Sequence, residues 1–176
     1  AGSVEPRHLG ARIVPYYTLI SMLMSALTGI TLSADLFNIF VFLEVGALCS
    51  YGLVGIAGGR ALISAFRYLI LGTIGASIYL LGVGYLYSAT GTLNMQDLAL
   101  RLPEAFNSKA VLIGLTFLFI GLAIKMALVP MHGWLPDAYA HAPEAITPLL
   151  ASLVTKVALY AVIRITFWVL GAGVVL

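Results

Sequence analysis

Residues 121–136 read GLAIKMALVPMHGWLP. Lys125 sits in an apolar run fit for a lipid bilayer, and Pro130, His132 and Pro136 then interrupt that run. Composition says where such a stretch belongs. The 176 residues are 61% hydrophobic and only 9% charged, against about 25% charged in a soluble domain. The chain is therefore read as an integral, multi-pass membrane protein in contact with the lipid bilayer. A formal charge of +2 and the lack of basic runs with interleaved aromatics argue against nucleic-acid binding.

A membrane helix needs about 20 mostly apolar residues, and spans are predicted near 14 to 32, 36 to 57, 62 to 88, 110 to 129 and 144 to 170. The fold class is all-α: a polytopic transmembrane bundle of about five helices, one of them broken. Asp35 is a candidate N-cap for the second span, and the glycines at 58 and 59 end it. The stretch TGTLNMQDLALRLPEAFNSKA (90–110) is read as a polar loop. PMHGWLPDAYAHAP (130–143) is too polar and proline-rich for an ordinary lipid-facing helix. Glycine and alanine in LGTIGASIYLLGVG (71–84) offer surfaces for close helix packing. Arg7, Arg12, Arg60 and Arg67 fall on one side, against Arg101 and Lys109 on the other, so the first side is expected to be cytoplasmic.

Three charges lie at membrane depth: Glu44, Lys125 and Lys156. A lysine or aspartate at mid-helix costs about 2.5–3.5 kcal/mol even on a mild scale, so these residues need partners, water or both. Burial favours the neutral form of an ionisable group and a nearby opposite charge favours the ionised one. A buried carboxylate and amine together thus make a proton site whose state follows their separation. Pro130 removes a backbone donor and its ring crowds the preceding turn, and such breaks are tolerated in a membrane where protein or a watery cavity covers them. Ser152, Lys156 and Tyr160 recur at four-residue spacing, with Arg164 one turn further, and form a candidate polar track on one helix face. The alternative is a static ion pair that fixes helix register.

His132, Asp137 and His141 are spaced H-x4-D-x3-H, which matches no strong metal motif; no metal is expected, and His141 is a further candidate proton relay. His8 is read as a residue of the polar leader. Cys49 has no second cysteine to pair with and is read as a small buried residue. No nucleotide-binding, hydrolase or quinone-specific pattern appears, so no cofactor is expected.

ADLFNIFVFLEVGALCSYGL (34–53), RYLILGTIGASIYLLGVGYLYSATGTLNMQDL (67–98) and KMALVPMHGWLPDAYAHAPEAITPLLASLVTKVALYAVIR (125–164) together resemble the antiporter-like subunit family. That family comprises the proton-pumping membrane subunits of respiratory complex I, related subunits of membrane-bound hydrogenases, and Mrp-type sodium/proton antiporters. LLASLVTKVALYAVIR (149–164) and GVGYLYSATGTLNMQDL (82–98) look closest to the Mrp D-type subunit, and PMHGWLPDAYAHAP to the hydrogenase and complex I versions. The resemblance implies a glutamate on the fifth transmembrane helix paired with a lysine on a broken seventh, and a lysine or histidine on the eighth that passes the proton on. These roles fall on Glu44, Lys125 and Lys156.

It also implies about fourteen helices in two inverted repeats, so residues 1–176 would be one membrane domain, helices four to eight of a longer subunit. The sequence does not begin with Met, as expected of a chain entered partway through. The implied function is translocation of H+, or Na+ against H+, within a multisubunit complex of a prokaryotic inner membrane. Such a subunit carries no redox group, and nicotinamide, flavin and iron–sulfur centres would belong to its partner subunits. The rival reading is a structural membrane subunit whose charges only fix packing. A redox-driven pump and a sodium/proton antiporter both stay open as the driving system.

Overall fold

The computed structural model describes residues 10–171; Arg7 and His8 lie outside the described residues. Seven helices account for nearly all of it, and no strand occurs among the described residues. A short turn at Gly10–Arg12 leads into α1 (Ile13–Leu32), followed by α2 (Leu36–Gly55), α3 (Arg60–Thr90), α4 (Met95–Ala105), α5 (Lys109–Lys125), α6 (Leu135–His141) and α7 (Ile146–Leu170). Four of these, α1, α2, α3 and α7, are long and apolar enough to cross a membrane. The 17 residues of α5 sit at the lower limit of about 17 for a span.

The bundle is assembled by close backbone approach as well as by side-chain packing. A Cβ added at Gly82 of α3 would lie 2.5 Å from the Leu118 nitrogen of α5, and one at Gly121 would lie 2.6 Å from the Gly75 oxygen. The small residues of α3 therefore bring two helix backbones into direct contact, as their spacing predicts. Tyr79, fully buried, donates its hydroxyl hydrogen to the Leu36 carbonyl at 3.0 Å and ties α3 to the start of α2.

Asp35 caps α2 as expected, its Oδ1 accepting from the Phe37 and Asn38 amides at 2.9 and 3.0 Å. The segment read from sequence as a polar loop is instead interrupted by a helix. Asn94 caps α4 by accepting from the Gln96 amide at 2.9 Å, and Met95, Leu98 and Leu102 form its buried stripe. At eleven residues with an amphipathic pattern, α4 is too short and too polar to span, and it lies along the bundle's end. The two caps are stitched together by Leu36 N to Leu93 O at 3.0 Å and Met95 N to Ala34 O at 2.9 Å. At the opposite end Arg12 donates to the Ile56 carbonyl at 2.7 Å, which ties the start of α1 to the end of α2. The arginines Arg12, Arg60 and Arg67 thus share one end, and Arg101, bonded to the Thr90 carbonyl at 3.0 Å, marks the other.

Candidate functional site

The fourth predicted span ends four residues early. Helix α5 stops at Lys125, Ala127 adopts a left-handed φ of 56°, and regular helix does not resume until Leu135. Proline at 130 forbids an uninterrupted helix, and the last carbonyls of α5 take other partners. Leu128 N bonds to Ala123 O at 2.9 Å, and Trp134 Nε1 donates to the Ile124 carbonyl at 3.0 Å. Trp134 is 2% exposed and stacks face to face on Tyr68, with centroids 4.1 Å apart. One buried indole therefore both caps the broken end and anchors it to α3.

At this end the Lys125 Nζ donates to Glu44 Oε1 at 2.7 Å. The two side chains come from helices 81 residues apart in sequence and are 8% and 25% exposed. Two ion pairs occur among the described residues, and this is the buried one. Beside it is a cavity of ≈ 20 Å³, bordered by Leu27, Gly46, Tyr68, Val154 and Ala158 as well as Lys125, room for about one water molecule.

Lys156 lies on the other side of the break. Met126, Ala127, Leu128 and Val129 form one wall of a cleft of ≈ 280 Å³ whose other wall is Thr155, Lys156 and Leu159. The non-helical segment thus separates the enclosed Lys125 from the open cleft holding Lys156. The Lys156 ammonium donates at 3.3 Å to Thr155 Oγ1 and belongs to no ion pair among the described residues. Just before it, α7 widens into i→i+5 hydrogen bonding over Leu150–Val154, an irregularity frequent at functional sites.

The polar track on α7 holds in part. Ser152, Lys156 and Tyr160 share an exposed face, but Arg164 does not extend it. Its guanidinium donates to the Thr31 carbonyl at 3.0 Å and to the Ser33 carbonyl, closing the C-terminus of α1. A charge four residues along the helix is thus drawn to the negative end of a neighbouring helix.

His132, Asp137 and His141 do not converge. Asp137 pairs with Arg67 of α3, and His141 Nδ1 lies 3.0 Å from the Asp137 carbonyl and 3.1 Å from Ser64 Oγ. Nδ1 donates to the Asp137 carbonyl in one tautomer and accepts from the Ser64 hydroxyl in the other. The Ser64 hydroxyl also lies 3.4 Å from the Arg60 carbonyl. Nδ1 of His132 is buried without a hydrogen-bond partner among the described residues. Arg67, Ser64, Tyr68 and Trp134 were not singled out as site residues from the sequence. The aromatic beside the proline break was the one signal available for Trp134, whereas the partners on α3 follow only from helix register.

The chain as a whole is similar to known proteins. A family model described as NADH:quinone oxidoreductase/Mrp antiporter, TM, matches residues 33–175. NADH-quinone oxidoreductase subunit N of Desulforudis audaxviator is 47% identical over 168 residues, covering 96% of this chain and 33% of that protein. The D-type subunit of the Na(+)/H(+) antiporter of Bacillus subtilis is 34% identical over 151 residues, covering 85% and 31%. A chain of the membrane-bound sulfane sulfur reductase, an archaeal respiratory membrane complex, superposes with a TM-score of 0.87 at 37% identity, covering 99% of this chain and 34% of that one. The chain spans about a third of the length of the relatives it matches.

Proposed function

Because the chain belongs to the NADH:quinone oxidoreductase/Mrp antiporter transmembrane family, we propose that it forms part of a proton-translocating membrane subunit in which Glu44, Lys125 and Lys156 relay the proton. The observation that carries this reading is the Glu44–Lys125 ion pair, enclosed on one side of a helix break whose other side opens on Lys156.

Lys125 is the switchable carrier. With Glu44 at 2.7 Å the ammonium is held by a charge-assisted hydrogen bond. When the carboxylate is protonated or withdrawn, an ammonium in this enclosed site loses its compensation and its proton moves on. The cleft walled by the irregular backbone at 126–129 is the route by which water reaches Lys156. Lys156 then hands the proton out of this portion of the subunit. His141, with Nδ1 between the Asp137 carbonyl and the Ser64 hydroxyl, is the candidate relay on the arginine-bearing side.

The described helices belong to one membrane domain of a longer subunit, which sits with other membrane subunits in a prokaryotic inner membrane, the arginine-rich end facing the cytoplasm. The transported ion is H+, alone or exchanged for Na+. The test replaces Lys125 with Met in the full-length subunit within its complex, reconstituted in vesicles loaded with a pH-sensitive dye. Proton transport is expected to fall at least tenfold, about 1.4 kcal/mol or more of barrier; an unchanged rate overturns the proposal.

A further inference from the structure

Tyr51 of α2 is 5% exposed, and its hydroxyl is buried with no hydrogen-bond partner among the described residues. The ring is well held, edge-on to Tyr68 at 4.5 Å, and Tyr68 in turn stacks on Trp134 beside the helix break. The hydroxyl fits because residue 72 of α3 is glycine: a Cβ there would overlap the hydroxyl oxygen. Phenylalanine would make the same ring contacts without burying an unpaired polar group, which costs folding free energy. Packing alone therefore gives no reason for the oxygen.

Its position does. Glu44 and Tyr51 are seven residues apart and lie on the same face of α2. Helices α2 and α3 run antiparallel, with Gly55 against Ala65 and Tyr51 against Tyr68. That register sets Gly72, and with it the Tyr51 hydroxyl, level with Leu48, about one helical turn (roughly 5.4 Å) from Glu44. One water molecule making two hydrogen bonds of about 2.8 Å spans that distance. Lys125 engages Oε1 of Glu44, and Oε2 accepts no hydrogen bond among the described residues, which leaves it for a second donor.

We propose that the Tyr51 hydroxyl is a positioning group for Glu44, joined to its carboxylate through one water molecule and retaining that carboxylate when Lys125 moves away. The hydroxyl keeps its proton throughout and acts as a hydrogen-bond donor. The inference rests on the role given to Glu44 above. It places a hydrogen-bonding group between the ion pair and the arginine-bearing end, where α2 terminates.

Tyr51→Phe in the full-length subunit within its complex tests it, measured by proton transport in vesicles, by melting temperature, and by the infrared carboxyl band that Glu44→Gln removes. Expected are a loss of rate of about fivefold, the worth of one hydrogen bond, a melting temperature unchanged or raised, and a shift of the Glu44 band. An unchanged rate with an unmoved band overturns it, as does a lowered melting temperature with an unmoved band, which would give the hydroxyl a structural role. If Glu44→Gln itself transports normally, the Glu44 reading fails; if Glu44→Gln is inactive while Tyr51→Phe is normal, only the Tyr51 inference falls.

Discussion

Removing one member of the buried ion pair should cost far more stability than removing both, with the same consequence for transport. At the 2.7 Å Nζ–Oε1 separation and an effective dielectric of about 20, the Coulomb attraction is roughly 6 kcal/mol. Desolvation of two side chains that are 8% and 25% exposed offsets much of it, since each buried ion gives up several kcal/mol of hydration. Glu44→Gln leaves the Lys125 ammonium enclosed without its counter-charge, and about 3–5 kcal/mol of stability is expected to go. The double variant Glu44→Gln, Lys125→Met leaves no charge to compensate, and stability should return to within about 1–2 kcal/mol of the parent. Transport should stay lost in both. The assay pairs thermal unfolding of the full complex in lipid nanodiscs with dye-reported proton uptake in vesicles. A double variant that regains stability and also transports at the parent rate would refute the relay and make the pair a packing device.

Lys156→Met should not lower unfolding stability, because the ammonium forms no ion pair among the described residues and a charge at membrane depth is costly, while proton uptake in vesicles falls at least tenfold (about 1.4 kcal/mol of barrier). Arg164→Met should do the reverse, lowering unfolding stability by about 1.5–3 kcal/mol through loss of its bonds to the Thr31 and Ser33 carbonyls, with little change in rate per intact complex. Gly121→Ala should destabilise by about 1–3 kcal/mol in thermal unfolding, because the new methyl meets the Gly75 oxygen and the Tyr79 backbone, despite alanine's advantage of about 1 kcal/mol in a helix.

The spans were legible because a bilayer imposes one simple demand, a long apolar run. The boundary at Asp35 was legible because a cap is a local hydrogen bond. Helix α4 escaped the same reading because a search for twenty apolar residues passes over eleven amphipathic ones; its signal was the Asn94 cap with apolar residues at 95, 98 and 102. The candidate site divides along the same line. That Glu44, Lys125 and Lys156 were anomalous could be read from the cost of charge in lipid, residue by residue. That Glu44 meets Lys125 depends on how helices 81 residues apart pack, and periodicity carries no such information. Arg164 shows the limit of the helical-face argument: its four-residue spacing from Tyr160 is real, yet the carbonyl end of α1 claims it. The orphan hydroxyl of Tyr51 is likewise set by contacts across helices.

The most direct test of the central claim is Lys125→Arg in the complete complex. Arginine retains the positive charge and the capacity to bond Glu44, but it does not release its proton in a protein. If Lys125 carries the proton, the variant assembles with its ion pair intact and proton uptake into vesicles is abolished. Uptake at the parent rate by a correctly assembled Lys125→Arg complex would show that the charge, and not the exchangeable proton, is what this position supplies, and would contradict the account.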